Sequence, residues 1–224
     1  MYPAEADIGF LIQMLQRSIL IISDDFDPDA FSEDLKSCKF EMLKVKINVE
    51  LDSEKIEGLM DGKIKLSRGG FRALWMYMAS LQLTEYLTNI MAKYHFKFSP
   101  GKTTKAMIND MLEHFSVSES MRLIYIAIMK ACTRYQAGGI TRNHAANMVI
   151  TICKNYTTRA VKEGWTVKRF ERDYDIEIST AESYIYTNIL RIGEDGFRCS
   201  PGMMSDKLYD KLFLKEKTDD TQPE

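Results

Sequence analysis

The feature that most constrains the fold of this chain is the helical periodicity of residues 71–163. Apolar side chains recur there every three or four positions, as they do along the buried face of an amphipathic helix. Capping or helix-breaking residues separate the periodic segments. The predicted helices span residues 71–94, 103 or 104 to about 114, 116 or 118 to about 136, and 141 to about 163. Such a series predicts a mainly α fold built as a multi-helix bundle.

The first third of the chain shows a different pattern. Residues 4–22 have the spacing of an amphipathic helix, whereas apolar and polar residues alternate through residues 40–51. A two-residue alternation is typical of a half-buried strand. A strand needs a partner, and the alternating sequence GKIKL at 62–66 is the one we expect. The bundle is therefore predicted to carry a minor two-stranded β element near the N-terminus, at about residues 41–66.

With 224 residues, the chain suits one large domain or two small ones. The turn Ser99-Pro100-Gly101 is the candidate boundary. It would separate an N-terminal α+β region, residues 1–98, from a helical region, residues 99–214. The polar residues 215–224 are expected to form a flexible tail. The alternative is a single domain, because the helices on both sides of the turn are apolar enough to pack together.

Cysteine and histidine usage points to a reducing, cytoplasmic protein without a metal or cofactor. The four cysteines lie far apart and form no CxxC pair, so zinc-ribbon and thioredoxin-like motifs are excluded. Cys132 and Cys153 fall in apolar helical patterns and are expected to be buried thiols. The three histidines are widely spaced and form no helical metal-binding pair. The apolar runs are too short and too polar to span a membrane.

Charge is distributed unevenly along the chain. Residues 63–170 contain 17 Lys and Arg against 5 Asp and Glu, whereas residues 1–62 and 171–224 are net acidic. A basic middle suggests an acidic partner, such as nucleic acid or an acidic protein, or neutralisation by the acidic ends within the fold.

The most suggestive local pattern is residues 166–190, which resembles a helix-turn-helix unit. Phe170 and Tyr174 would be the buried pair of the first helix, and a second helix would begin at Ser179-Thr180. In such a unit the second helix enters the major groove, while basic side chains bind phosphates. The pattern departs from the generic motif at Glu171 and Asp175. The predicted nucleic-acid-binding residues are Lys162, Lys168, Arg169, Arg172, Thr180, Ser183, Thr187, Asn188 and Arg191, with Glu182 and Tyr186 also on the outer face of the second helix.

The leading hypothesis is therefore a nucleic-acid-binding or regulatory protein that is not an enzyme. The alternative is a protein-interaction module, an adaptor or inhibitor, that binds an acidic protein partner. The methionine and tyrosine content suits such a surface, and the apolar residues Trp75–Met78 would lie in the core or in an interface with a partner or a second copy of the chain. The third hypothesis is a metal-independent ribonuclease that uses His144 with Arg134 or Arg142.

Overall fold

The computed structural model describes residues 20–22, 45–47, 66–171 and 180–204, with side chains described for 66–171 and 182–204. Contacts divide the chain into two units, one formed by 1–65 with 176–191 and the other by 66–175 with 192–224. The described elements are β1 Leu20–Ile22, β2 Val45–Ile47, α1 Arg68–Lys93, α2 Lys102–His114, α3 Val117–Gln136, α4 Arg142–Glu163, α5 Thr180–Tyr184, the π-helical turn Ile185–Ile189, and α6 Asp195–Arg198.

The larger unit confirms the predicted series of long helices, and the capping residues explain most of the helix ends. Ser116 accepts a hydrogen bond from the Glu119 backbone, and Glu119 accepts one in return from the Ser116 backbone, so a complete capping box begins α3. Thr141 caps α4. Gly164 ends α4 in the left-handed conformation (φ 66°), which glycine adopts without steric cost.

One predicted cap is wrong. Neither Thr103 nor Thr104 caps α2, which begins at Lys102 after Gly101 and has no side-chain cap. Thr104 is buried instead. Helix α1 precedes the Ser99-Pro100-Gly101 turn and α2 follows it, and the two helices pack against each other within the same unit.

The core of the larger unit is organised around the contact of α3 with α4, the most extensive one between described elements. The buried faces of both helices contain many alanines, which let helix backbones approach closely. The buried alanines are Ala127 and Ala131 on α3 and Ala145, Ala146 and Ala160 on α4.

The two cysteines expected to be buried differ in exposure. Cys153 is fully buried, and burial raises the pKa of its thiol to about 12, whereas Cys132 is only half-buried.

Trp75 anchors α1 in this core. Its side chain is fully buried, and its indole N–H donates to the Gly196 carbonyl in α6 over 3.1 Å. Phe71 packs edge-on against the Trp75 ring. The hydrogen bond satisfies the one polar group of the indole, so the whole side chain can be buried without an unpaired donor. Met78 is also buried and Met76 and Tyr77 are half-buried, so this apolar segment lies largely in the core.

The described parts of the smaller unit correct the N-terminal prediction in one respect. β1 and β2 are antiparallel, with Ile21 opposite Lys46. β2 lies within the predicted strand at 40–51, but β1 occupies residues that the sequence pattern assigned to the end of a helix. The apolar β-branched pair Ile21-Ile22 suits a strand as well as a helix, so periodicity alone could not decide. Residues 62–65 of the expected partner strand lie outside the described residues.

The first helix predicted for the helix-turn-helix unit is wrong over its described part. Residues 165–171 follow α4 without regular secondary structure. Phe170 bonds to Ser118 at the start of α3: its amide donates to the Ser118 carbonyl (3.3 Å), and its carbonyl accepts from the Ser118 hydroxyl (2.5 Å). Because the Phe170 amide and carbonyl already form hydrogen bonds with Ser118 of α3, a helix is not required to pair them. Residues 172–179, which would hold the turn, lie outside the described residues.

A C-terminal strain in α1 generates a stability prediction. His95 follows the last residues of α1 with φ 60°, and the Phe96 amide donates to the Met91 carbonyl, as in a glycine-ended helix. Because His95 is exposed, replacing it removes little packing. We expect His95→Gly to stabilise the protein by about 1 kcal/mol and to raise the thermal midpoint. His95→Ala is the control, since alanine lacks the freedom of glycine. Equal midpoints for the two variants would contradict this account.

Candidate functional site

The principal concave site of the larger unit is an open groove along α3 and α4, with a volume of about 770 Å³. Helix α3 contributes Lys130 and Arg134 from its second half. One face of α4 contributes the rest, because the lining positions recur at helical spacing. The α4 lining consists of His144, Asn147, Met148, Thr151, Ile152, Asn155, Tyr156, Thr158 and Arg159.

The described lining of this groove is basic. It holds three permanently charged cations and no carboxylate. Lys130 and Arg134 are exposed, and neither forms an ion pair with a carboxylate of the described residues. Arg159 is paired with Glu163, which does not line the groove, so Lys130 and Arg134 are the cations without a carboxylate partner among the described residues. Positive charges along one concave surface focus the electrostatic field and attract anions.

Aromatic rings hold two of these cations, Lys130 and Arg159, in place. The Lys130 ammonium lies 4.8 Å from the centre of the Tyr156 ring. At the C-terminal end of α4, the Arg159 guanidinium lies 5.2 Å from the Trp165 ring, and Trp165 packs against Tyr156. Outside the groove lining, near the start of α4, Arg142 makes a similar contact with Tyr135 at 5.4 Å. Cation–π contacts use no hydrogen-bond donor, so the Lys130 ammonium keeps its donors for a ligand, whereas Arg159 gives its Nε–H to the Glu163 carboxylate.

Glu163 fixes the end of the groove next to Trp165. Its carboxylate accepts from the Arg159 guanidinium (3.3 Å) and from the Trp165 indole N–H (2.7 Å). These two hydrogen bonds, that of Arg159 first, hold the pKa of Glu163 below its ordinary value. The triad therefore gives Arg159 and Trp165 a defined orientation.

The nucleic-acid-binding residues predicted from the sequence are divided between the two units. Lys162, Lys168 and Arg169 belong to the larger unit and are exposed, and Arg169 lies 3.7 Å from the Glu119 carboxylate. Arg172 lies outside the described residues. Thr180, Ser183, Thr187, Asn188 and Arg191 belong to the smaller unit.

The second predicted helix does begin at Thr180, but it changes to a π-helical turn at Ile185. Ser183, Thr187 and Asn188 are exposed as expected. Glu182 and Tyr186 were predicted on its outer face and are buried instead. A register change inside the helix moves side chains away from the face that a regular α spacing predicts, so the outer-face assignment fails at Tyr186.

Most of the groove lining is not predicted from the sequence. Arg134 and His144 are candidates there, and the structure places both in the lining. Lys130, Asn155, Tyr156 and Arg159 are not among the sequence candidates. The available signal was the recurrence of polar and basic residues along one side of α4, which is ordinarily the solvent-exposed face of an amphipathic helix.

Comparison with known proteins adds no assignment. The chain matches no protein-family model, and no curated protein or solved structure matches it. In the described part of the chain, no three His, Cys, Asp or Glu side chains form a group able to hold a metal ion. No helix among the described residues is long and apolar enough to cross a membrane.

The Glu163 contacts generate a titration prediction. We expect the pKa of Glu163, measured by NMR, to lie below that of an ordinary glutamate and to rise in Arg159→Gln, which removes the charged donor. Trp165→Phe should raise the pKa less, because the Arg159 hydrogen bond is the larger cause. Since the folded pKa is lowered, these contacts stabilise the fold at neutral pH and are lost as the pH falls through the folded pKa. A Glu163 pKa that neither variant changes would contradict the assigned triad.

Proposed function

We propose that the protein binds nucleic acid in the groove between α3 and α4, with basic side chains on the phosphates. The observation that carries this proposal is the described lining, which holds a row of short polar side chains, three cations and no carboxylate; of the cations, Arg159 is paired with Glu163 outside the lining, and Lys130 and Arg134 have no carboxylate partner among the described residues. Phosphate contacts by Lys and Arg supply most of the affinity of such an interface. The proposal keeps the partner class expected from the basic middle of the chain and moves the site away from residues 166–190.

The polar residues of α4 support nucleic acid over a simple anion. Asn147, Thr151, Asn155 and Thr158 lie along the same side of the helix as the cations. Asn amides and Thr hydroxyls bond to phosphate, sugar and base edges. Since α4 has 22 residues, it is about 33 Å long at 1.5 Å per residue. This length matches an extended polyanion better than a single small ion.

An acidic protein partner is the other partner class that the sequence suggested. Protein interfaces usually bury a central cluster of apolar and aromatic side chains. Among the described residues of the groove, only Met148, Ile152 and Tyr156 are of that kind, and all three are half-buried within α4. The lining therefore favours a phosphate-rich partner.

The proposal is confined to binding. Arg134 and His144 share the groove, as the ribonuclease hypothesis requires, but His144 is the one imidazole of the described lining, which has no carboxylate. Cleavage by general acid–base catalysis ordinarily needs two positioned proton-transfer groups.

Charge reversal tests the site. We expect Lys130→Glu with Arg134→Glu to weaken binding of labelled single-stranded and duplex oligonucleotides about tenfold or more at low salt, since two cations near phosphates become anions. Fluorescence anisotropy at about 50 mM and about 200 mM salt measures the effect. The native protein should lose affinity as salt rises.

The matched control is Lys97→Glu with Lys105→Glu. Both lysines are exposed and lie outside the groove lining, and the change in net charge is the same. Equal weakening by the two double variants would show that binding follows net charge and not the groove. Absence of binding to any oligonucleotide at low salt, or tighter binding to poly-glutamate than to nucleic acid, would overturn the proposal.

A further inference from the structure

A second concave site lies in the larger unit, apart from the basic groove. Its volume is about 400 Å³, within the range of small-molecule sites. It is formed by α1, the α2–α3 junction, residues 165–169 and residues 198–204. Nothing in the proposed function uses this pocket.

The apolar walls of the pocket are aromatic and pre-formed. Trp75 is fully buried and Phe115 is 7% exposed, while Trp165 and Val167 are half-buried. Both indole N–H groups are already bonded, that of Trp75 to the Gly196 carbonyl and that of Trp165 to the Glu163 carboxylate. Trp75 is fully buried behind the lining, so Phe115 and Trp165 offer the pocket its accessible aromatic surface, which suits a flat hydrocarbon group.

Two guanidinium groups and one carboxylate add charge to the lining. The Glu119 carboxylate is already engaged, since one oxygen accepts from the Ser116 backbone and hydroxyl and the other lies 3.7 Å from Arg169. Arg198 is exposed and forms no ion pair with a carboxylate of the described residues. Arg198 is thus the cation available to a ligand.

The lining also contains a large apolar side chain that faces solvent. Met203 is 71% exposed. Exposed methionine is costly to leave in water and adapts readily to ligand shape because it is unbranched. A ligand with an apolar body would cover this side chain and gain from its removal from water.

We propose that this pocket binds a small amphipathic anion, with a planar apolar body against Phe115 and Trp165 and a carboxylate or similar anionic group on Arg198. Apolar walls with a few polar groups that fix orientation are the usual design of small-molecule sites. Arginine is suited to the anionic end because its planar fork bonds a carboxylate through two parallel hydrogen bonds.

Asp195 places a negative charge near the pocket, which bears on the preference for an anionic ligand. It precedes Arg198 in α6, and its negative charge contributes to raising the pKa of the Cys199 thiol after the larger effect of burial, but it does not line the pocket. The net charge near the pocket is therefore small. Preference for an anion must come from direct contact with Arg198, so removing that one side chain should remove the preference.

Three probes of the same shape test the proposal: 2-naphthoate, 2-naphthylmethanol and 2-naphthylmethylammonium. Binding to the full chain is measured by isothermal titration calorimetry. We expect naphthoate to bind about tenfold tighter than the ammonium probe, equivalent to about 1.4 kcal/mol, with the alcohol between them. In Arg198→Ala, naphthoate should weaken to the affinity of the alcohol. Arg142→Ala, which removes an exposed arginine outside the pocket, should leave all three affinities unchanged.

Several outcomes would overturn the proposal. These are absence of saturable naphthoate binding, equal or tighter binding of the ammonium probe, and equal losses in Arg198→Ala and Arg142→Ala. Phe115→Leu is a second variant that tests the apolar wall, and it should weaken all three probes alike. Thermal unfolding of each variant confirms that a lost affinity is not a lost fold.

Discussion

The contact of α3 with α4 is the interaction on which the rest of the larger unit depends. Alanines on the buried faces of the two helices let their backbones approach closely. Longer side chains at the outer edge of the contact, Lys130 and Arg134 on α3 and Tyr156 and Arg159 on α4, then form the walls of a groove. Small residues thus lie on the buried faces of the two helices, and long basic residues line the groove.

The end of α4 links this contact to the rest of the unit. Gly164 reverses the chain in a left-handed conformation, and residues 165–171 then run back to the start of α3. Phe170 is held there by Ser118, by the rings of Tyr86 and Tyr125, and by the Arg122 guanidinium at 5.7 Å. This segment contributes to the second pocket, while Trp165 at its beginning contacts Arg159 of the basic groove. Residues 165–171 therefore contact both concave sites, the basic groove and the second pocket.

The helices of the larger unit could be predicted closely from the sequence, because their ends depend on local chemistry. The capping residues bond to groups no more than four positions away in the chain. They are Ser116 with Glu119, Thr141 and Gly164. The failed first helix of the helix-turn-helix unit depends on a distant contact. Phe170 and Tyr174 have the spacing of a buried helical pair, but the hydrogen bonds of Phe170 go to Ser118, 52 positions away, and no local pattern records that. The mainly helical bundle is shown, whereas the nucleic-acid-binding function stays a proposal at a site the sequence only partly indicated.

Photo-cross-linking with mapping of the linked peptides is the most direct test of the central claim, that nucleic acid lies in the groove between α3 and α4. An oligonucleotide carrying photoreactive bases would be bound at low salt, irradiated and digested with the protein. The proposal predicts cross-links concentrated in α4 and the second half of α3, with Tyr156 among the linked residues. Cross-links concentrated in residues 180–191, with none in α4, would contradict it and return the site to the second helix of the predicted helix-turn-helix unit.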